Sequence, residues 1–439
     1  MANTTAPEPW RWHLAMSLYR LAAPLLLGIA LPSWLRKMAA RDGWSTPFGE
    51  RFGRYRDDLE WAPCGCLHLH AVSVGETLIA LKFLQVWRQT HEAPVVLAVG
   101  TATAYQLAAQ SPIPGLTVAY APIDLHAFVT RYLSRFEPAQ IVLVEAEAWP
   151  ELMTQCQKRG IPVMMINARL SPRSERRYLR VRSWILPLFE KISRIGVQGP
   201  EDAQRFVSLG YATEKILVTG SIKFDPLAAS APQTRETFSA ILAPLRRNRA
   251  IVLAASTHDG EELLLAQALA GSHCLFVCVP RHAERRHEVQ QTLISAGHKV
   301  WLRSGGIPPA DSEADVLIID STGELRDWTA HADLVIIGKS FLSTGGQNPA
   351  EAILAGIPVI VGPHMENFEP LTTQLLQAEA VVRVENIADL ASHVANLLEH
   401  PERSAAMSRR AHQVLEQHAG ATQRSIRMVE SSANSSYHR

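Results

Sequence analysis

Carboxylates, guanidinium groups and one lysine collect where the apolar runs of this sequence stop. Ser73-Val74-Gly75-Glu76 closes one such run, and Glu76 stands where it turns into a helix. A carboxylate there either complements the positive helix end, an effect worth ~0.3–1 kcal/mol, or serves as a general base. Glu145-Ala146-Glu147-Ala148-Trp149-Pro150 sets two carboxylates one residue apart directly after another buried run. Like charges that close disfavour each other, which packing alone does not ask for. Arg169, Ser171, Arg173 and Ser174 follow a third run. Guanidinium forks and hydroxyls suit the phosphate groups of an acceptor. Arg176, Arg177, Arg180 and Arg182 extend that basic stretch or form a solvated helix face. Lys223 lies in Gly220-Ser221-Ile222-Lys223-Phe224-Asp225. It either pairs with Asp225 or stabilises a departing phosphate.

A second set of polar residues lies further on. Gly345 and Gly346 break the chain after a strand, and Asn348, Pro349 and Glu351 read as a helix start. Asn is a good cap, Pro suits the first helical position, and Glu three residues after the cap completes a capping-box pattern. Free N–H groups at such a start make an anion seat, while Glu351 either closes the box or turns outward to a ribose. Arg281, after Pro280, is a phosphate clamp at a strand end, and Asp320-Ser321-Thr322-Gly323-Glu324-Leu325 offers backbone donors to a nucleotide. His258 and His282 read as structural. No G-x-G-x-x-G follows the first strand, which argues against a nicotinamide cofactor. No D-x-D-type metal motif stands out.

These residues need elements to hold them. Apolar, often β-branched runs at 66–74, 94–100, 116–120, 140–144, 161–166, 192–197 and 215–219 alternate with helix-length segments. The pattern lapses between 224 and 248, then resumes with runs at 250–255, 273–279, 299–302, 316–319, 334–337 and 358–361. Short apolar strands between helices predict parallel sheets covered on both faces. The fold class is therefore α/β, with two Rossmann-like domains and ligands at the carboxyl ends of the strands. A chain of 439 residues also exceeds one ordinary core. The domains are read as an anchor over 1–42, a first Rossmann-like domain over 43–228, a second over 229–420 and a tail over 421–439. With 43 basic and 42 acidic residues, the totals favour neither nucleic acid nor an acidic tail. Five cysteines without paired or zinc spacing suit a reducing compartment and structural roles. The stretch from Trp10 to Leu35 is apolar, carries tryptophans at both ends and basic residues behind it, and contains prolines. It predicts an interfacial helix or a tilted, hairpin-like insertion rather than a clean span; the alternative is a hydrophobic helix docked on the protein itself.

Ten short motifs, in order, resemble the 3-deoxy-D-manno-octulosonic acid (Kdo) transferases of lipopolysaccharide and lipid A synthesis. They are H-A-V-S-V-G-E (70–76), Y-A-P-I-D (120–124), E-x-E-x-W-P (145–150), N-A-R-L-S (167–171), V-T-G-S-I-K-F-D (218–225), S-T-H-x-G-E-E (256–262), V-P-R-H (279–282), G-E-L (323–325), G-G-x-N-P-x-E (345–351) and G-P-H-x-x-N-F (362–368). The resemblance implies the GT-B architecture, two facing Rossmann-like domains about a cleft, and an inverting transferase. CMP-Kdo would be the donor, bound by the domain over 229–420, and a tetraacyl lipid A precursor the acceptor, bound by the domain over 43–228, at the cytoplasmic side of the inner membrane, with no metal or further cofactor. It implies Glu76 as base, with Glu145 and Lys223 stabilising the transition state. Pro280, Arg281, Thr322, Gly323, Glu324, Asn348, Pro349, Ala350 and Glu351 would hold CMP. Ser73, Gly75, Arg169, Ser171, Arg173 and Ser174 would face the acceptor. Gln347, Lys339 and Thr322 depart from the family pattern, where histidine, glycine and methionine stand. Two other readings are a membrane-associated GT-B transferase using a UDP-sugar, separable by nucleotide competition, and a catalytically silent nucleotide-sugar-binding protein.

Overall fold

The computed structural model describes residues 10–40, 46–55, 66–145, 148–226 and 232–434. The chain divides into two units: Met1–Ala228 together with Gly420–Arg439, and Ala229–Ala419.

The first unit carries seven strands: β1 (Leu67–Ala71), β2 (Val95–Val99), β3 (Leu116–Tyr120), β4 (Gln140–Val144), β5 (Val163–Ala168), β6 (Arg194–Val197) and β7 (Ile216–Val218). They form one parallel sheet in the order β3-β2-β1-β4-β5-β6-β7. Alternate residues serve opposite faces. Ile141 and Leu143 join one apolar cluster, and Val142 and Val144 the other. This two-sided burial is why the strands read as continuous apolar runs. The order reverses between β1 and β4, and at such a switch point the loops diverge and leave a crevice at the strands' carboxyl ends.

The second unit holds β8 (Ala250–Thr257), β9 (Cys274–Pro280), β10 (Val300–Leu302), β11 (Val316–Ile318), β12 (Leu334–Ile337), β13 (Val359–Val361) and β14 (Val382–Arg383). They too form one parallel sheet, in the order β10-β11-β9-β8-β12-β13-β14. Six of these strands coincide with the predicted runs. The seventh, β14, is two residues long at the sheet edge, too short for a periodic signal.

Two segments differ from the sequence reading. The N-terminal stretch is one continuous helix, Trp10–Ala40, with Pro24 and Pro32 inside it; no hairpin forms. Its first turns dock on the first unit. Trp12 and Met16 are buried in its core, the Tyr19 hydroxyl donates to Asp124 Oδ2 at 2.7 Å, and Arg20 forks onto Glu151 at 2.8 and 3.1 Å. Beyond Arg20 the helix leaves the unit, with Leu21, Leu25 and Ile29 exposed by 70% or more. The residues after 420, read as a tail, contain the helix Ala421–Asn434. Ile426, Met428 and Val429 of that helix complete an apolar face of the first sheet. Its start is held by Asp225, which accepts the N–H groups of Gly420 at 2.9 Å and Thr422 at 2.8 Å.

Cys156, Cys274 and Cys278 are buried free thiols, and Cys66 is buried as well. Cys64 lies outside the described residues.

Candidate active site

The helix Val74–Trp87 starts at the end of β1, and Ser73 caps it: its Oγ accepts the Glu76 N–H at 3.2 Å. Glu76 returns the contact. One of its carboxylate oxygens accepts from Ser73 Oγ at 2.7 Å and the other from the Val72 N–H at 2.8 Å. Cap and carboxylate thus hold each other, and this has a second consequence. It holds a buried carboxylate, 7% exposed, at the carboxyl end of a central strand. An ionised carboxylate has about four lone-pair sites, so two bonds leave room to take a proton.

Glu145 ends β4 with φ +64°, a left-handed conformation uncommon for residues other than glycine and asparagine. Asn167, within the end of β5, has φ +54°. Its side-chain oxygen accepts the Ile222 N–H at 2.9 Å, which ties the turn Ile222–Phe224 to β5. Lys223 lies in that turn.

The electrostatics show that these ends converge. Burial, and after it the neighbouring Glu76 charge, pushes the Glu145 carboxyl above the usual carboxylate range; Lys223, Arg169 and the Asn167 amide oppose the shift. Burial lowers Lys223, Glu145 works against that, and Arg169 adds to it. Glu76, Glu145, Lys223 and Arg169 therefore form one cluster of two acids and two cations, contributed by β1, β4, β5 and the turn after β7.

Beside the cluster lies a cavity of about 200 Å³ at the ends of β1, β2 and β3, lined by Arg51, His70, Val72, Asp124 and Trp149 among others. Sequence reading missed Arg51 as a lining residue. Its one signal was the charged pair Glu50-Arg51 enclosed by Phe-Gly and Phe-Gly. In the structure Glu50 accepts the Tyr120 N–H at 2.9 Å, and the Arg51 guanidinium lies 3.9 Å over the Tyr120 ring. Asp124 holds the opposite wall by accepting the N–H groups of Glu151 and Leu152, both at 2.9 Å.

The predicted phosphate-binding set separates. Arg169 belongs to the acid–base cluster. Ser171 caps the next helix, Pro172–Arg180, by accepting the Ser174 N–H at 3.1 Å, while Arg173 is exposed. Gly75 is exposed, and Glu147 lies outside the described residues.

In the second unit the ends of β9, β11 and β12 and the loops after them carry the predicted nucleotide residues. Gly345 and Gly346 have φ +119° and +68°, and a Cβ on either would meet Asn367 Nδ2 or Met365 Sδ at 2.5 Å. Only glycine fits both demands. Asn348 Oδ1 accepts the Ala350 N–H at 3.1 Å, just before the one-turn helix Ala350–Leu354. Glu351 leaves the capping box open. Burial raises its carboxyl, and Arg326 and then Arg281 oppose the shift. Three strand-end loops thus place Glu351 among two guanidinium groups. Glu324 is already committed: Arg303, which follows β10, grips it bidentately at 3.0 and 2.7 Å, and Ser321 of its own loop donates to it. Thr322 and Gly323 are the exposed part of that turn. Pro280 is buried at the end of β9 and Arg281 is exposed beside it.

The departures also have places. Lys339, where the family pattern has glycine, adopts φ +55°, and Gln347 Nε2 meets His258 Nε2 at 3.0 Å. Among the described residues no three His, Cys, Asp or Glu side chains converge as metal ligands do.

The same succession of strands and helices recurs in solved structures. HepE of Anabaena, crystallised with UDP, superposes at a TM-score of 0.53 with 16% identity, over 83% of this chain and 99% of that one. The UDP-GlcNAc 2-epimerase of Neisseria meningitidis gives 0.53 with 15% identity, over 83% and 99%. The fold is that of the GT-B class. A family model described as 3-deoxy-D-manno-octulosonic-acid transferase matches residues 46–226. The chain is 32% identical over 425 residues to the 3-deoxy-D-manno-octulosonic acid transferase of Bordetella pertussis, covering 93% of this chain and 96% of that one. It is 29% identical over 433 residues to that of Haemophilus influenzae, covering 96% and 98%. The chain belongs to the Kdo transferase family of glycosyltransferases.

Proposed function

We propose that this chain transfers Kdo, with inversion, from CMP-Kdo to a sugar hydroxyl of an acylated lipid A precursor at the cytoplasmic side of the inner membrane. The observation that carries the proposal is the cluster of Glu76, Glu145, Lys223 and Arg169 beside a lined cavity. CMP already activates the donor bond, so the protein must supply a base and a stabiliser of the departing phosphate. Glu76, fixed by Ser73 and Val72, takes the proton of the attacking hydroxyl. Glu145 and Lys223 stabilise the charge that develops as the donor bond breaks. The acceptor sugar occupies the cavity walled by Arg51, His70 and Trp149.

In the second unit Arg281 and the Asn348–Ala350 turn take the CMP phosphate, Thr322 and Gly323 offer backbone contacts, and Glu351 receives the ribose. With guanidinium and ammonium groups in these roles the reaction needs no metal, so turnover should survive EDTA.

The N-terminal helix supports a membrane location. Trp10–Ser33 is long and apolar enough to cross a bilayer by length and composition. Its first turns are docked, however, and residues 21–33 rise only about 20 Å, short of the ~30 Å hydrocarbon core. We read it as a helix that enters the membrane without crossing it. The deciding experiment incubates the purified chain with CMP-Kdo and a tetraacyl disaccharide bisphosphate, then weighs the lipid product. A mass increase of one or more Kdo units, inhibited by CMP and not by UDP, is expected; an unchanged lipid mass, or inhibition by UDP, would refute the proposal.

A further inference from the structure

A groove of about 330 Å³ runs between the docked turns of the helix Trp10–Ala40 and the helices Pro172–Arg180 and Arg182–Phe189. Ala15, Met16, Tyr178, Trp184, Ile185 and Leu188 line it, and none of its lining residues is charged. Its volume falls within the ~300–1,000 Å³ of ordinary ligand pockets, but it offers a ligand almost nothing except hydrocarbon contact. A sugar or phosphate would lose its hydration there without repayment.

Three observations say what enters it. One face of the same helix is an exposed apolar stripe, with Leu14, Leu18, Leu21 and Leu25 exposed by 43, 55, 71 and 70%. Hydrocarbon in a bilayer therefore meets the groove along one continuous element. The helix Pro172–Arg180 presents Arg176, Arg177 and Arg180 to solvent, and the Arg177 guanidinium lies 5.2 Å over the ring of Tyr178, a lining residue. Phosphates of a lipid headgroup would meet cations at the rim. Ala148 also lines the groove, three residues after Glu145, so the two Cα atoms lie no more than about 11 Å apart.

We infer that this groove is the binding site for a fatty acyl chain of the acceptor, drawn from the bilayer along the N-terminal helix and held so that the acceptor sugar reaches Glu76 and Glu145. The inference rests on the reading of the acceptor as an acylated lipid. It makes the half-docked helix part of substrate recognition as well as an attachment device.

The test photolyses the purified full-length chain with a tetraacyl disaccharide bisphosphate bearing a diazirine at the end of one acyl chain, and maps the adducts by peptide mass spectrometry. Label is expected on residues 12–19 and 178–189, displaced by unlabelled acceptor but not by the same excess of bilayer phospholipid. Label confined to residues 21–29, displacement by phospholipid to the same degree, or no label at all would overturn the inference. Ile185→Trp, which fills the groove, should raise KM for the acylated acceptor about 10-fold or more, the scale on which apolar pockets discriminate. An unchanged KM would also overturn it. If that variant fails to fold, labelling of the unsubstituted chain still decides. Labelling requires no turnover. Labelling without transfer would therefore refute the reaction, and transfer without labelling the groove.

Discussion

At the scale of single residues, Glu76 has two separable roles. Its carboxylate closes the cap of Val74–Trp87 and is the proposed base. Glutamine can still serve in a capping box but is no base. Glu76→Gln should thus lose turnover by ~100-fold or more while keeping its unfolding midpoint and CMP affinity. Glu76→Ala should lose turnover and also about 1 kcal/mol of stability with the cap. Parallel kinetics, CMP titration and thermal unfolding read all three quantities; full activity in Glu76→Gln would end the assignment.

Glu145 offers a pH test. Its folded-state value is raised, so it favours folding only below the unfolded carboxylate range, and that contribution is lost as pH rises through the folded value. Glu145→Gln should then raise the thermal midpoint at pH 7, by about 2–4 °C for each kcal/mol relieved, with the gain vanishing in acid. Turnover should fall at the same time, the usual exchange between stability and a strained site. Of these residues, Glu76, Glu145 and Lys223 were legible as strand-end charges, but their convergence was not. Burial of Arg51 against Tyr120 was illegible too, because the two lie far apart in sequence and meet only once the fold brings the turn Phe48–Phe52 against the end of β3.

At the scale of elements, caps and turns do the positioning. Asp225 is buried and accepts two N–H groups at the start of Ala421–Asn434, two residues from Lys223. Asp225→Ala leaves those donors unsatisfied, which costs about 1–3 kcal/mol. Hydrogen exchange should show faster opening over 421–434, and turnover should drop as the Lys223 turn loosens. Unchanged exchange in that helix would show that the cap contributes nothing. Thirteen strands were legible from apolar run length. The helix 421–434 was read as a tail because its apolar side is completed only by residues of another part of the chain. Its Ile426, Met428 and Val429 pack in one apolar cluster with strand residues of which the last is Ile166, far earlier in the chain.

At the scale of the whole molecule, the proposed function has the N-terminal helix couple a membrane surface to the unit that carries the acid–base cluster. Trp12, Met16, Tyr19 and Arg20 belong to the fold, whereas Leu21, Leu25 and Ile29 face outward. Replacing these last three with serine should leave the unfolding midpoint unchanged. It should weaken partition into vesicles, as removal of apolar area does at ~25 cal/mol per Å². Vesicle flotation checks this; undiminished binding would place the attachment elsewhere. Deleting residues 1–33 should instead destabilise the first unit, because it strips buried Trp12 and Met16 from the core.

Local rules were enough to derive much of this protein from its residues in order. Apolar runs of strand length define two parallel α/β units, and ten motifs in order mark the transferase family, because strand burial and loop chemistry are written over a few residues each. Only the tertiary structure decided which charges share a site, that the final helix completes the first core, and that the N-terminal helix is half docked and half free. Those outcomes depend on contacts between residues distant in sequence, which no local pattern encodes.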